Sequence, residues 1–311
     1  MVGQPSYFAV TGTQNGTKVI VKLAKNAEVV YGNDVPGMPG GLDLEFSIGR
    51  GEVVQVVGAP AADMAGSLVT ADKPVQVIAG MPCVNQPADM NAPACDHIEE
   101  SVFPAETLGS HYFVTVPTGP NGTPVGHVVR LVGNADGTKL TYPGTKPSLA
   151  PDSIDAGQVI DLGVVNADFE IVGDKALAVV TFQLGGSQVD PDTTPNKRRG
   201  DPDQSAPASV EQYRKKYVFL APDDYEVNFA DVVLETGTTL SVDGKAVNVT
   251  PTPISSGWGV ARVPLDSGNA GAHVLEASAP VGLQVLGYGM FTSYQYPGGL
   301  DLETITPPPV K

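Results

Sequence analysis

The apolar residues of this chain fall in short runs rather than long stripes. TKVIVKL (17–23), EVVQVVG (52–58), KPVQVIAG (73–80), LAVVTFQL (177–184) and TTLSVDG (238–244) are rich in Val, Ile and Thr, and Gly, Pro or Asp bounds them. That pattern predicts β-strands of half-buried sheets. Long helical periodicity is absent, so the expected fold class is all-β.

The runs recur. Tyr7, Tyr112 and Tyr217 are spaced by 105 and again by 105, in SYFAVTG, HYFVTVP and KYVFLAP. Later come TADKPVQVIAG, VGDKALAVVTF and EASAPVGLQVLGYG, with Lys73 and Lys175 102 apart and Ala279 a further 104 on. A glycine precedes a strand at Gly51, Gly157 and Gly257. Three landmarks in one order at one period predict three tandem, related units of about 105 residues: 1–110, 111–215 and 216–304, with a Pro-rich linker at 305–311. Seven to nine short strands fit each, the size of a β-sandwich or jelly roll.

Composition agrees and narrows the function. Hydrophobic residues make up 41% of the 311, enough for a real core, while 36 Gly and 28 Pro favour turns over helices. The formal net charge of −16 disfavours nucleic acid and anionic membranes as partners. No apolar run approaches the roughly 20 residues of a membrane helix, and no signal peptide is visible. The opening MVGQPSYFAV and the closing TITPPPVK read as the edges of a piece of a longer protein.

The stretch CDHIEESVFPAETLGSHY (95–112) aligns without gaps on GDPDQSAPASVEQYRKKY (200–217). Asp96 meets Asp201, Glu106 meets Glu211 and Tyr112 meets Tyr217, whereas Cys95 meets Gly200, His97 meets Pro202 and Glu99 meets Gln204. The reactive side chains do not repeat, so the segment has a structural role: it ends a long loop and leads into the next unit. PAETLGS and ASVEQYRKK are expected to form short helical turns.

These residues resemble the N-terminal domain of the IgG-Fc-binding protein family, whose related domains occur in mammalian mucus proteins and large bacterial cell-surface proteins. DKPVQVIAGMPC…CDHIEESVFPAETLGSHYFVTVP, GDPDQSAPASVEQYRKKYVFLAP and VLGYGMFTSYQYPGGLDL carry the resemblance, across 73–302. The last two look especially like bacterial members. The resemblance implies a secreted, non-enzymatic β module of a larger cell-surface protein. It transfers no binding residues, and antibody binding is not implied.

Candidate chemistry is sparse. Cys83 and Cys95 are the only cysteines. With His97 they lack the four ligands and tight spacing of a zinc site, and a structural disulfide closing the loop is the favoured reading. Asp96, Glu99, Glu100 and Glu106 offer carboxylates for glycoside hydrolysis, but nothing marks a general acid among them. His97, His111, His127 and His273 are scattered, and no nucleophile elbow or phosphate loop occurs. Asp190, Asp192, Asp201 and Asp203 are a conceivable calcium set without the EF-hand spacing, and Asp-Pro turns explain them as well. No cofactor is expected. Lys197, Arg198 and Arg199 read as an exposed, protease-sensitive spot. Tyr288, Phe291, Tyr294, Tyr296 and Trp258 are binding candidates on Gly-rich loops, weighed against packing between units.

The function that follows is a non-catalytic extracellular adhesion or recognition module with a protein or glycan partner. The alternatives are a structural spacer and, behind it, a carboxylate-dependent glycoside hydrolase. Any ligand site is expected on the late loops 81–101, 185–205 and 287–299, which share a slot after the landmark strand but differ most in chemistry.

Overall fold

A computed structural model describes residues 4–88, 95–265 and 271–307. Residues 89–94 of the loop between the cysteines and 308–311 of the Pro-rich end lie outside the described residues. As the patterning predicts, antiparallel strands dominate. The helical pieces are single turns, two of them at Ala105–Thr107 and Val210–Gln212, where short turns are expected.

The first third of the chain forms β1 (Tyr7–Gly12), β2 (Thr17–Lys22), β3 (Glu28–Val29), β4 (Met38–Pro39), β5 (Asp43–Ile48), β6 (Val53–Val57), β7 (Leu68–Ala71), β8 (Val75–Val84) and β9 (Asp96–Ser101). Sheet β6-β1-β8-β9 and sheet β5-β2-β7 share a core of Val10, Val19, Val21, Leu44 and Val56. The middle third adds β10 (His111–Val114), β11 (His127–Gly133), β12 (Thr138–Thr141), β13 (Ser153–Ile154), β14 (Val159–Val165), β15 (Phe169–Gly173), β16 (Leu177–Gln183) and β17 (Gln204–Ser205). Here β14-β11-β16-β17 and β10-β15-β12-β13 enclose Val114, Leu131, Phe169, Ile171 and Leu177.

The last third holds β18 (Arg214–Ala221), β19 (Val227–Glu235), β20 (Leu240–Val242), β21 (Lys245–Ala246), β22 (Thr252–Ser255), β23 (Trp258–Leu265), β24 (Gly271–Gly289) and β25 (Thr292–Pro297). β24 serves both sheets: its first half pairs with β18 and β20, its second with β19 and β25. The core is Tyr217, Val232, Leu275, Val281 and Val285. Truncating a buried aliphatic side chain in any of the three cores to Ala costs about 2–5 kcal/mol, because the cavity adds to the lost transfer energy.

The same backbone bonds recur in the three sheet pairs. Lys18 N–H donates to Asp72 Oδ1 and Asp72 N–H to Lys18 O, at 2.8 and 3.1 Å. Lys139 and Asp174 repeat this at 2.7 and 3.0 Å. Thr239 and Ser278 repeat it at 2.9 and 3.0 Å, with a serine hydroxyl as acceptor. Gly51, Gly157 and Gly257 all turn at positive φ (78°, 71° and 80°), a region that disfavours a Cβ, which is why glycine marks each hairpin.

One landmark does not correspond. By pairing, β1 matches β11 and β19, the strands that lie between the β6-like and β8-like partners. Tyr112 and Tyr217 sit instead on β10 and β18, which add to the opposite sheet. Both bury their rings and make the same pair of bonds. Gly109 N–H donates to Tyr112 Oη (3.3 Å), which donates to Leu177 O (2.8 Å). Arg214 N–H donates to Tyr217 Oη (3.0 Å), which donates to Val281 O (2.5 Å). The Tyr7 hydroxyl instead meets His97 Nε2 (3.0 Å) and Glu99 (3.4 Å) at the surface. Its spacing of 105 from Tyr112 is a coincidence of loop lengths.

The three sheet pairs meet at a common junction. Ile98, Val128, Phe182, Phe229, Leu286 and Tyr288, drawn from all three, form one buried cluster. Arg130 spans the seam between the first two pairs, reaching Asp63 (3.2 Å) and Asp161 (3.3 Å). Between the second and third, Thr118 donates twice to the buried Asp231 (2.9 and 2.6 Å), and Arg262 meets Asp168 (2.9 Å).

Candidate recognition surface

The late loops converge. Gly185 N–H donates to Gln86 O (2.8 Å), which joins the first loop to the second. Gly200 N–H donates to Gly289 O and Phe291 N–H to Arg198 O, both at 3.0 Å, which joins the second to the third. Asp201 N–H reaches Ser293 Oγ (3.2 Å), and Gln295 N–H donates to the Asp203 carboxylate. Cys83 and Cys95 are bonded, with Cα atoms 5.2 Å apart, and so tie β8 to the start of β9. Closing that loop contributes about 3 kcal/mol in the chain-entropy picture.

The proposed calcium set is divided. Asp190 is buried against Arg199 Nε (3.3 Å) and accepts from the Thr193 hydroxyl (2.9 Å) and the Arg199 N–H (3.1 Å). Burial alone would raise its carboxyl, but the Arg199 N–H, the Thr193 hydroxyl and the guanidinium outweigh it and hold the group below the ordinary range. Asp192 is exposed. Asp201 and Asp203 face Asp96 and Glu100 from the first loop. Burial, then the Asp96 charge, pushes Asp201 up to about 7. Burial also lifts Asp203 to about 7, with Glu100 and Asp96 adding to it against two backbone N–H groups. Glu100 is raised by burial as well. Among the described residues no cluster of His, Cys, Asp or Glu has the geometry of a metal site.

Raised carboxyls invite comparison with a hydrolase, and one of them, Asp231, lines a small cavity. A cavity of about 30 Å³ lies at the seam of the second and third pairs, between Phe113, Thr181, Tyr213, Asp231, Gln284 and Gln295. It has room for one or two waters and none for a sugar ring.

The aromatic candidates separate by burial. Tyr288 is fully buried in the junction and has no surface to offer a ligand. Trp258 is half-buried between Phe113 and Tyr213, with ring centroids 5.0 and 5.9 Å away. Tyr294 packs edge-on against Tyr225 (4.6 Å) and donates to Asn228 Oδ1 (2.8 Å). Tyr296 accepts from Leu220 N–H (2.9 Å) and donates to Leu220 O, so it covers the outer edge of β18. Phe291 alone is exposed, at 50%, beside Met290 at 54%. Both lie at the tip of the β24–β25 hairpin, and Phe291 holds φ of 57°, a left-handed conformation that costs a bulky residue on the order of 1–2 kcal/mol.

The reading of Arg199 as part of an exposed basic spot is corrected: its side chain is largely buried against Asp190. Its guanidinium also donates to Pro120 O (3.1 Å) and Asn121 Oδ1 (2.6 Å), so it is a bracket between loops rather than a free basic spot. Arg198 bonds Thr193 O and Pro191 O (both 3.3 Å), leaving Lys197 as the exposed cation of the three. Met290 was missed, because a lone methionine carries no signal of exposure.

Residues 1–287 match the profile of a family described as IgGFc binding protein. A human relative, IgGFc-binding protein, is 26% identical over 293 residues, which is 92% of this chain and 5% of that protein's length. This chain therefore spans about one-twentieth of the relative it matches. No helix among the described residues is long and apolar enough to cross a membrane.

Proposed function

We propose, because this chain belongs to the IgGFc-binding protein family, that it is a non-catalytic extracellular recognition module that binds a protein partner through the converged late loops. The observation that carries this reading is the Met290–Phe291 tip. Two large apolar side chains stand in solvent, one in a strained conformation, on a base held by bonds from the second loop. Apolar exposure on a rigid support is the usual form of an interface anchor. The three sheet pairs are read as tandem β-sandwich repeats over 1–110, 111–215 and 216–304, a reading supported by the recurring Lys–Asp and Thr–Ser backbone bonds.

The name of the human relative, IgGFc-binding protein, makes immunoglobulin Fc the first probe to try, with a mucin glycoprotein as the glycan-bearing second. Binding of each to immobilised protein is measured for the native chain and for a Met290→Ser/Phe291→Ser variant. The variant is expected to lose at least about tenfold in affinity, or about 1.4 kcal/mol, with an unchanged melting temperature. Equal binding by the variant removes the loop tip from the interface. The spacer reading is favoured by a different observation, the packing of Trp258, Tyr288 and Tyr294 inside the body. It predicts that neither probe binds.

A further inference from the structure

On the outer face of sheet β6-β1-β8-β9, side chains from distant parts of the chain meet. Tyr7 pairs with Gly80 across β1 and β8, and Gly80 pairs with Glu99 across β8 and β9, so these residues form one cross-strand row. His97 lies two residues before Glu99 on β9 and on the same face, because side chains alternate along a strand, while Ile98 between them turns into the core. Gly80 makes the meeting possible. A Cβ there would stand 2.8 Å from Tyr7 Oη, so glycine is what lets the phenol lie across β8 and reach β9. The Cys83–Cys95 bond then holds β9 to β8 just before His97.

Tyr7 Oη stands 3.0 Å from His97 Nε2 and 3.4 Å from Glu99 Oε2, and those two atoms are 3.8 Å apart. A triangle with these sides has a centre about 2.0 Å from every corner, and zinc bonds to imidazole nitrogen and carboxylate oxygen are about 2.0–2.2 Å long. An ion raised slightly above the plane keeps all three bonds in that range and brings their angles toward tetrahedral. Solvent reaches the site, since the His97 and Glu99 side chains are 49% and 56% exposed. One nitrogen and two oxygens suit a borderline ion such as zinc. The third donor is a phenol, so the trio is distinct from a cluster of His, Cys, Asp and Glu alone.

We propose that Tyr7, His97 and Glu99 bind a divalent, zinc-class metal ion on the outer face of the first sheet pair, through His97 Nε2, a Glu99 carboxylate oxygen and the Tyr7 phenolate. His97 binds as the neutral imidazole. The phenol gives its proton to solvent, and the ion takes that proton's place between the two neighbours. Three protein donors leave a fourth position open to water or to a donor group brought by a partner. The site shares no residue with the calcium set on the late loops, and it does not use the cysteines, whose sulfurs are bonded to each other. It goes beyond the recognition reading and stands without it.

The test titrates the metal-free full chain with zinc chloride, followed by calorimetry and ultraviolet difference absorption, and with cobalt(II) chloride, followed by visible absorption. The expected result is one tightly bound ion per chain, a tyrosinate difference band on zinc addition and the visible bands of a tetrahedral cobalt site. His97→Ala, Glu99→Gln and Tyr7→Phe are each expected to weaken zinc binding at least about tenfold, and Tyr7→Phe to remove the tyrosinate band. All three change exposed or half-buried side chains, so without zinc their melting temperatures are expected to stay within about a degree or two of the native chain's. Three results overturn the proposal: native binding no tighter than that of the Tyr7→Phe/His97→Ala/Glu99→Gln triple variant, affinity unchanged in any one folded single variant, or zinc bound without a tyrosinate band.

Discussion

Replacing each of the three tyrosines by Phe isolates what their hydroxyls do. In Tyr217→Phe, Arg214 N–H loses its acceptor and Val281 O its donor, both beside a ring that is 2% exposed. Tyr112→Phe removes the corresponding bonds to Gly109 and Leu177, beside a ring that is 3% exposed. Each lost bond is worth about 1 kcal/mol, and a buried group left unsatisfied costs about 1–3 kcal/mol. The expected destabilisation is about 2–3 kcal/mol for either variant. Tyr7→Phe breaks only contacts to exposed His97 and Glu99, which water replaces, so about 0.5 kcal/mol or less is expected. Urea titrations followed through Trp258 give the midpoints at constant slope, and a melting shift of roughly 4–10 °C accompanies the two costly variants. If Tyr7→Phe costs as much as the others, or if Tyr112→Phe and Tyr217→Phe are neutral, the correspondence of strands argued from pairing is wrong.

The buried Asp231 and the half-buried Asp201 and Asp203 give an unusual pH dependence. Asp201 and Asp203 near 7 and Asp231 near 6 lie above their unfolded value, so the folded state holds their protons more tightly and stability falls as pH rises from about 4 to 7. His127, lowered to about 3 by burial, works in the opposite sense below 6.5 and cancels part of it. The melting temperature is expected to be higher at pH 5 than at pH 7.5, and Asp203→Asn to flatten that slope; a monotonic rise with pH would refute the assignment. A Cys83→Ser/Cys95→Ser variant is expected to melt lower while keeping its β circular dichroism, since the bond closes one loop beside three cores; collapse of the whole spectrum would contradict this. Limited trypsin digestion is expected to cut first after Lys197 and not at the bracketed Arg199, as peptide mass mapping will report.

Much of the fold was legible in the chain because sheets read out in alternation and hairpins in glycine. Thr17–Lys22 and Leu177–Gln183 fall within the strands expected, and Gly51, Gly157 and Gly257 mark turns that need positive φ. The pairing of Cys83 with Cys95 was legible because no other thiol competes. The landmark EASAPVGLQVLGYG falls on strand β24, but the strand's full length, Gly271–Gly289, was not legible, since Ser278, Ala279 and Pro280 interrupt its pattern where it passes from sheet to sheet. The mismatch of Tyr7 was hidden for a related reason: an aromatic residue opening a strand looks alike on either sheet. The site was the least legible part. Asp201 and Asp203 sit in Asp-Pro and Asp-Gln steps that read as solvated turns, and only tertiary contact with Asp96 and Glu100 shows that they are half-buried. Whether Tyr294 and Tyr296 pack or bind turned on Asn228 and Leu220, more than 60 residues away in the chain.

The junction cluster also sets an order of events during synthesis. Ile98 belongs to the first sheet pair, but its cover includes Leu286 and Tyr288 of the last. At roughly 5–20 residues per second, the 190 positions from 98 to 288 take on the order of 10–40 s to emerge. For that interval a completed first sheet pair carries an unsheltered apolar face. The nascent chain thus passes through a sticky stage that the finished protein does not have, and a holdase able to cover Ile98 until residue 288 is clear of the ribosome would raise the yield of folded molecules.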